Sequence, residues 1–302
     1  MNVLSLFDGM SCGQIALNRA GIKYDNYFAS EIDKHAIKVT KTNYPNTIHI
    51  GDVTKVSYKD GILETETGCY RVDIDLVIGG SPCQSFSIAS TNGKKDYKPL
   101  GLEGKSRLFY EYLRILKEVE DCNSEVKWLL ENVKMSENSK MQLDTYLGVC
   151  GVYINSNLVS FQNRPRYYWS NIPFSVPSEK GIDFQNHKEE GDLSMYKLNP
   201  TPSRIKMWNN GAGRNNSSGC ANITHARKIY CLTTKQDRAP NSGLVEYEDF
   251  CRYLTRQELE QAQTVPIGYT DCLSYGQMQS VLGNGWTVDV IAHIFKGLKE
   301  NK

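Results

Sequence analysis

The sequence contains no run of about 18 apolar residues, so it offers no membrane-spanning helix. It also lacks a basic leader with a small-residue cleavage site, since it begins directly with the apolar run 3–7, and secretion is not expected. Its nine cysteines form an odd set without a Cys-x-x-Cys pair, which argues against a disulfide framework and a zinc site. These absences predict a cytoplasmic protein without metal, or a nuclear one if the host is eukaryotic.

The net charge is also low, at +1 for 302 residues, but the charged residues are unevenly distributed along the chain. Residues 161–240 hold 12 basic and 6 acidic residues, whereas 1–160 hold 18 and 20, and 241–302 hold 5 and 8. A positive middle segment can form a face that binds phosphates. A merely solvated basic surface explains the same composition.

The first 170 residues alternate between strand and helix patterns. Apolar strand candidates lie at 2–7, 27–30, 47–50, 74–79, 127–131 and 152–159, and helical periodicity fits 12–20, 33–43, 106–119 and 136–147. This alternation predicts an α/β fold with a mostly parallel sheet and helices on both faces. Ligands in such sheets bind beyond the carboxyl ends of the strands.

The composition and periodicity of the sequence change after Trp169. Residues 171–250 are rich in Asn, Gly, Ser and Pro, and 209–219 reads as a loop, while helical patterns return at 255–263 and 285–298. We therefore predict one domain formed by 1–170 with 251–302, and a small lobe formed by 171–250.

The segment from Phe7 to Gly13 follows the first strand and precedes a helix. Its glycines, Gly9 and Gly13, permit a tight turn close to a ligand, and the helix N-terminus offers free N–H groups. The spacing is not the Gly-x-Gly-x-x-Gly pattern expected of a nicotinamide oxidoreductase.

Two acids follow the next strand candidates at the same sheet edge. Glu31 is placed to hold both ribose hydroxyls, and Asp52 to accept from an adenine amino group, with Ile32 and Val53 flanking the ring. Each acid alone could be a solvated strand-end residue. Together with the glycine loop they describe an adenosine site.

Three further segments carry reactive side chains. Cys83 follows a proline at the end of strand candidate 74–79, where a rigid, exposed turn suits a nucleophile rather than a core thiol. Glu131 ends a buried strand candidate, where a carboxylate is costly unless it has partners or a catalytic role. A surface or helix-capping glutamate is the alternative. Arg164 and Arg166, at alternate strand positions, can pair with Glu131, a base carbonyl or phosphate; a surface arginine pair is the alternative.

These segments occur in the order found in the cytosine-5 DNA methyltransferases, which the chain resembles over nearly its whole length. The matching motifs are Phe7-Asp8-Gly9, Glu31, Asp52, Gly80-Ser81-Pro82-Cys83-Gln84, Glu131-Asn132-Val133, Gln162-x-Arg164-x-Arg166, Arg252-x-Leu254-Thr255-Arg256-x-Glu258, Gln263-Thr264-Val265-Pro266 and Gly283-Asn284-Gly285. The sequence looks most like the catalytic domain of the animal de novo enzymes, but Gln84 and Asn284-Gly285 follow the bacterial pattern. We expect a stand-alone microbial or phage member.

The resemblance implies an S-adenosylmethionine-dependent methyltransferase fold, Rossmann-like, with 171–250 as the target-recognition lobe. It implies that Cys83 attacks a flipped-out cytosine in duplex DNA, that Glu131 and Arg166 bind the base, and that Arg164 supports the thiolate and Glu131. The cofactor residues that it implies are Phe7, Asp8, Gly9, Ser11, Gly13, Glu31, Ile32, Asp52, Val53, Ser81, Pro82, Leu108, Asn284, Gly285 and Trp286.

The partner expected from this resemblance is double-stranded DNA, and a homo-oligomer is not indicated. The predicted DNA-binding residues lie in the loop after Cys83 and in the basic part of the small lobe. They are Ser85, Lys94, Lys95, Lys98, Arg204, Lys206, Arg214, Arg227, Lys228, Lys235 and Arg238.

Two other functions are weighed against this one. A tRNA cytosine-5 methyltransferase has the same fold, but those relatives carry a Cys-Phe-Thr sequence that is absent here. An inactive DNA-binding paralogue typically loses Pro-Cys or Glu-Asn-Val, and this chain keeps both.

Overall fold

The structure is a computed structural model that describes residues 1–82, 107–211, 219–236 and 242–299. The chain forms two compact units. One consists of Met1–Ile154, Pro165–Val176 and Ala292–Lys302, and the other of Asn155–Arg164 and Pro177–Ile291. These units divide the chain at other positions than the two predicted domains, whose functional assignment stays a prediction.

A seven-stranded sheet organises the first unit. The strands of this unit, in chain order, are β1 (Asn2–Leu6), β2 (Asn26–Ser30), β3 (Ile48–Gly51), β4 (Ser57–Lys59), β5 (Ile62–Thr65), β6 (Gly68–Arg71), β7 (Leu76–Gly79), β8 (Lys127–Val133), β9 (Val152–Asn155) and β10 (Pro165–Ser170). The large sheet has the order β3-β2-β1-β7-β8-β10-β9. Strands β3, β2, β1, β7 and β8 pair in parallel, and β10 is antiparallel to β8.

Burial explains why the central strands read as nearly continuous apolar runs. All four residues of β7 are buried, as are four of the five in β1, because strands inside a parallel sheet are covered on both sides. Together with the helices between the strands, this confirms the predicted α/β fold with a mostly parallel sheet. The carboxyl ends of β1, β2, β3, β7 and β8 therefore meet at one edge.

Four helices of the first unit lie close to their predicted positions. They are α1 (Cys12–Ala20), α2 (Lys34–Asn43), α3 (Arg107–Cys122) and α4 (Glu137–Leu147). Asp33 caps α2 by accepting from the His35 N–H, and α3 buries Phe109, Tyr112 and Ile115 in the main core. The strand candidate 152–159 is shorter than predicted, because residues 156–158 form a 3-10 turn after β9.

Strands β4, β5 and β6 form a separate antiparallel sheet, the meander, which the sequence analysis did not predict. Asp60 and Gly61 connect β4 to β5 with φ angles of 52° and 73°. This is the geometry of a two-residue hairpin turn, for which Asp-Gly is a preferred sequence.

The second unit contains more regular structure than its composition suggests. Its elements are α5 (Pro202–Asn210), β11 (Val245–Tyr247), β12 (Phe250–Arg252), α6 (Arg256–Ala262) and α7 (Tyr275–Asn284), and α8 (Val288–Phe295) ends beyond it in the first unit. Helices α5 and α7 were not predicted, and α5 includes residues 209 and 210 of the predicted loop. Among the residues that the structure describes, no helix is long and apolar enough to cross a membrane.

A buried ion pair holds α6 to β12. The Arg252 guanidinium makes two hydrogen bonds to the Glu258 carboxylate, at 2.8 and 2.9 Å, and the two side chains are 1% and 0% exposed. Glu258 also completes a capping box with Thr255 at the start of α6. The Arg-x-Leu-Thr-Arg-x-Glu motif is therefore a structural element of this unit.

We predict that Arg252→Met lowers the free energy of unfolding by about 3–5 kcal/mol, because it leaves the Glu258 carboxylate buried without its cation. Chemical denaturation checks this. Adding Glu258→Gln to the variant should restore part of the loss. Arg227→Met is the control, since its ion pair with Asp183 is exposed, and a comparable loss there would contradict the prediction.

Candidate active site

The glycine loop after β1 has an unusual backbone. Phe7, Gly9 and Ser11 have φ angles of 58°, 60° and 59°, in the left-handed region that non-glycine residues rarely adopt. No atom lies within 4 Å of the position that a Cβ on Gly9 would take, whereas a Cβ on Gly13 would lie 2.5 Å from the Tyr27 hydroxyl. The loop is thus open at Gly9 and tightly packed at Gly13. Strained backbone of this kind clusters at ligand sites.

A carboxylate at the centre of this loop holds it together. Asp8 accepts hydrogen bonds from the hydroxyls of Ser5 (2.6 Å), Tyr27 (2.7 Å) and Ser11. Burial raises the pKa of Asp8 to about 6, although these hydroxyls act in the opposite direction. The side chain predicted to bind cofactor is therefore also the hydrogen-bond centre of the loop.

The two predicted adenosine acids lie at the ends of their strands. Glu31 accepts from the Gly9 N–H at 2.7 Å, which joins the end of β2 to the glycine loop. Asp52 follows β3 and accepts from the Thr54 N–H at 2.9 Å. Ile32 is 74% exposed, whereas Val53 is 5% exposed and packs in the main core. The contact of both side chains with an adenine ring stays a prediction. Leu108, at the start of α3, packs against the same core.

Glu131 forms an ion pair with Arg166. The Arg166 Nε lies 2.8 Å from a Glu131 carboxylate oxygen, and the side chains are 13% and 11% exposed. The pair forms because β10 runs antiparallel to β8, with Arg166 opposite Val133. Arg166 also donates to the Pro165 carbonyl oxygen, which further fixes the guanidinium. Glu131 is one of the partners that the sequence allows for Arg164 and Arg166, and the structure shows it paired with Arg166. Glu131 is neither a helix cap nor a surface residue.

Asn132 connects this pair to the segment that leads to Cys83. Its side-chain amide donates to the Ser81 hydroxyl at 3.1 Å, while its carbonyl oxygen accepts from the Val133 N–H. Ser81 is 4% exposed. The sequence analysis gave Asn132 no role of its own; the signal was its place in the Glu-Asn-Val motif.

Arg164 has different partners from those predicted. Strand β10 begins at Pro165, so Arg164 and Arg166 do not share the strand as expected. Arg164 is 3% exposed and belongs to the second unit, where it donates to the carbonyl oxygens of Gly283 (3.0 Å) and Gly285 (2.8 Å). It therefore holds the end of α7, and its support of the thiolate and Glu131 stays a prediction.

The same turn is fixed by Gln263, which donates to the carbonyl oxygens of Leu282 (2.6 Å) and Gly285 (3.1 Å). Asn284 is exposed, Gly285 is buried and Trp286 is half-buried. A Cβ on Gly283 would lie 2.5 Å from the Thr233 backbone. The turn predicted to contact cofactor is thus rigidly held, and its contact with cofactor stays a prediction.

The predicted DNA-binding residues of the second unit differ in environment. The Lys228 ammonium donates to the carbonyl oxygens of Asn157 and Ser160, and its pKa is lowered by burial, which suits a structural role. Arg227 pairs with Asp183, and Arg204 donates to the Tyr253 hydroxyl. Lys206 and Lys235 are exposed.

Several predicted site residues lie outside the described part of the chain. They are Cys83, Ser85, Lys94, Lys95, Lys98, Arg214 and Arg238. Pro82, one residue before Cys83, is half-buried and is the last described residue of its segment. Within the described ranges, no group of three or more His, Cys, Asp or Glu is arranged to hold a metal ion.

Comparison with known proteins gives a family match for the first part of the chain. Residues 1–147 match the family described as C-5 cytosine-specific DNA methylase. This part of the chain is therefore similar to that family. An orphan methyltransferase of Bacillus phage rho11s, M.Rho11sI, is 34% identical over 136 residues, which are 44% of this chain and 23% of the relative. The type II methyltransferase M1.ScrFI of Lactococcus lactis subsp. cremoris is 38% identical over 133 residues, 44% of this chain and 28% of the relative.

This chain thus spans about a quarter of the length of these curated relatives. Their sources fit the predicted microbial or phage origin.

Solved structures of other proteins match this chain almost from end to end. An S. pombe Dnmt2 methyltransferase has a TM-score of 0.71 at 21% identity, covering 100% of this chain and 99% of the other. The Entamoeba histolytica methyltransferase EhMeth has a TM-score of 0.71 at 15% identity, covering 100% and 98%. They support the same fold.

The raised pKa of Asp8 predicts a pH-dependent stability. Between its ordinary pKa of 3.8 and its folded pKa of about 6, the folded chain holds a proton that the unfolded chain has lost. The free energy of unfolding of the wild type, relative to Asp8→Asn, should therefore fall as pH rises from about 4 to about 6, and then level off. Denaturation curves over this range check this.

The exposed Asp121→Asn variant is the control for that measurement. A difference between wild type and Asp8→Asn that stays constant with pH would show that Asp8 is not a proton-binding group in this range.

Proposed function

We propose that this chain transfers a methyl group from S-adenosylmethionine to carbon 5 of cytosine in duplex DNA, through a covalent bond to Cys83. The observation that carries the proposal is the ion pair between buried Glu131 on β8 and half-buried Arg166 on β10. The residue after Glu131, Asn132, donates to the Ser81 hydroxyl. The match of residues 1–147 to the cytosine-5 methylase family supports the reaction class, and the similarity to methyltransferases of a phage and a bacterium supports the methyl transfer.

The residues at the sheet edge fit the cofactor. An open glycine loop, a carboxylate bound to that loop, and an exposed isoleucine beside it suit an adenosine with a charged tail. S-adenosylmethionine supplies a methyl group on a positively charged sulfur. In this proposal Glu31 binds the ribose hydroxyls, Asp52 accepts from the adenine amino group, and Ile32 packs on the ring.

The chemistry requires activation of carbon 5, which is a poor nucleophile in an aromatic ring. The Cys83 thiolate adds to carbon 6, forming a C–S bond and making carbon 5 electron-rich. Glu131, carrying a proton in this complex, donates to ring nitrogen 3 and accepts from the exocyclic amine, which stabilises the developing charge. Arg166 orients Glu131 and binds the base carbonyl. After carbon 5 is methylated, water takes its proton, the C–S bond breaks, and the thiolate leaves.

A base inside a duplex cannot reach these groups, so the cytosine must be flipped out. We assign this to the segment from Ser85 to Lys105, whose lysines suit phosphate contacts. The exposed basic residues of 171–250, such as Lys206 and Lys235, are proposed to bind the DNA backbone. With partners of this kind, a cytoplasmic location in a microbial or phage-infected cell is the natural setting.

The experiment is methyl transfer from labelled S-adenosylmethionine to duplex DNA and, in parallel, to tRNA. We expect transfer to DNA, no transfer by Cys83→Ala, and a loss of about 10²–10³-fold in kcat for Glu131→Gln, because the charge at nitrogen 3 loses its partner. Glu125→Gln, at an exposed position, is the control. Transfer to tRNA without transfer to DNA would establish the alternative substrate.

Duplex DNA with 5-fluorocytosine at the target separates the remaining possibilities. Fluorine cannot leave as a proton does, so the Cys83 adduct should persist and be visible as a protein–DNA band that withstands denaturant. DNA binding without an adduct or methyl transfer would instead identify an inactive DNA-binding paralogue.

A further inference from the structure

The meander lies against the end of β3, next to the proposed adenine acid. In the turn between β5 and β6, a Glu66 carboxylate oxygen accepts from the Asp52 N–H at 3.2 Å, and the Thr67 hydroxyl donates to the His49 carbonyl oxygen at 3.1 Å. The turn thus contacts β3 on both sides of Gly51. None of these contacts is required by the sheet itself.

Gly51 provides a second, independent sign of this contact. Its φ angle is +79°, and a Cβ at this position would lie 2.5 Å from the Glu66 carboxylate oxygen and 3.2 Å from the Glu66 Cβ. The close approach of Glu66 to the β3 backbone therefore depends on a residue without a side chain.

The opposite side of the meander is tied to α3. Glu118 accepts from the Tyr58 N–H at 2.9 Å, and Arg114 donates to the Val56 carbonyl oxygen at 2.8 Å. Arg114 is itself held by Glu111 and Glu118. The meander is therefore fixed at two places, and its β5–β6 turn is a defined support for residues 49–52.

Asp52 is consequently restrained twice. Glu66 binds its backbone N–H, and the Thr54 N–H binds one oxygen of its carboxylate. One restraint acts on the backbone and the other on the side chain of the residue whose carboxylate is proposed to accept from the adenine amino group. Two carboxylates at this point also favour a ring that presents hydrogen-bond donors.

We infer that Glu66 is a positioning residue for the cofactor: the meander brings it to the end of β3, where it fixes Asp52 for the adenine ring. This inference rests on the proposed cofactor site. It extends that site to a segment that the motifs do not include.

The test is calorimetric titration of the full chain with S-adenosylmethionine, without DNA, alongside thermal unfolding. We expect Glu66→Ala to weaken binding by roughly three- to tenfold with nearly unchanged Tm, because an exposed side chain contributes one hydrogen bond. Glu66→Gln should bind almost as the wild type does, since its amide oxygen still accepts from the Asp52 N–H. Glu64→Ala, an exposed residue of equal charge on β5, should bind like the wild type.

A double-mutant cycle adds an independent measurement. Gly51→Ala should also weaken binding, and its effect should be smaller in a Glu66→Ala chain, because the clash with the carboxylate is then gone.

Unchanged binding by Glu66→Ala would overturn the inference, as would a Glu66→Gln variant that binds as weakly as Glu66→Ala. These outcomes would leave the proposed function intact. A wild-type chain that does not bind S-adenosylmethionine would remove the proposed cofactor site, and the role of Glu66 with it.

Discussion

Parallel strand pairing is the constraint on which the rest of the structure depends. Because five neighbouring strands run the same way, the residues that follow them meet at a single edge without any further contact being needed. The glycine loop, Glu31 and Asp52 reach that edge although they are far apart in the sequence. The left-handed backbone of Phe7 and Ser11 is tolerated because Asp8, between them, accepts hydrogen bonds from Ser5 and Ser11 that fix the loop.

The reversal of a single strand adds what the parallel strands cannot provide. Since β10 enters the sheet from the opposite end, it brings the side chain of Arg166 to Glu131 on β8. A buried carboxyl group is costly without a partner, so the ion pair with Arg166 offsets the cost of placing Glu131 inside the sheet. Asn132 then links the same strand to the Ser81 segment.

The sequence was most informative where periodicity is strong, as in α3, whose apolar face matches the buried residues. Motif chemistry allowed Arg166 to pair with Glu131, a base carbonyl or a phosphate, and the structure shows the first of these contacts. The meander was missed because its strands are only three or four residues long and partly exposed, although Asp60-Gly61 is a hairpin signal. The partners of Arg164 were not predictable, because they are backbone carbonyl groups about 120 residues away, and the sequence around Arg164 carries no information about them.

The chain order of the first unit has a consequence for biosynthesis. That unit includes residues from 292 onward, where the His293 ring contacts the Ser175 carbonyl oxygen at 2.9 Å and Gly297 packs directly on Pro173. A ribosome must translate all of 177–291 before these contacts can form. Nascent chains halted inside that stretch would carry every strand of the parallel sheet but not residues 292–299, so the first unit would still be incomplete.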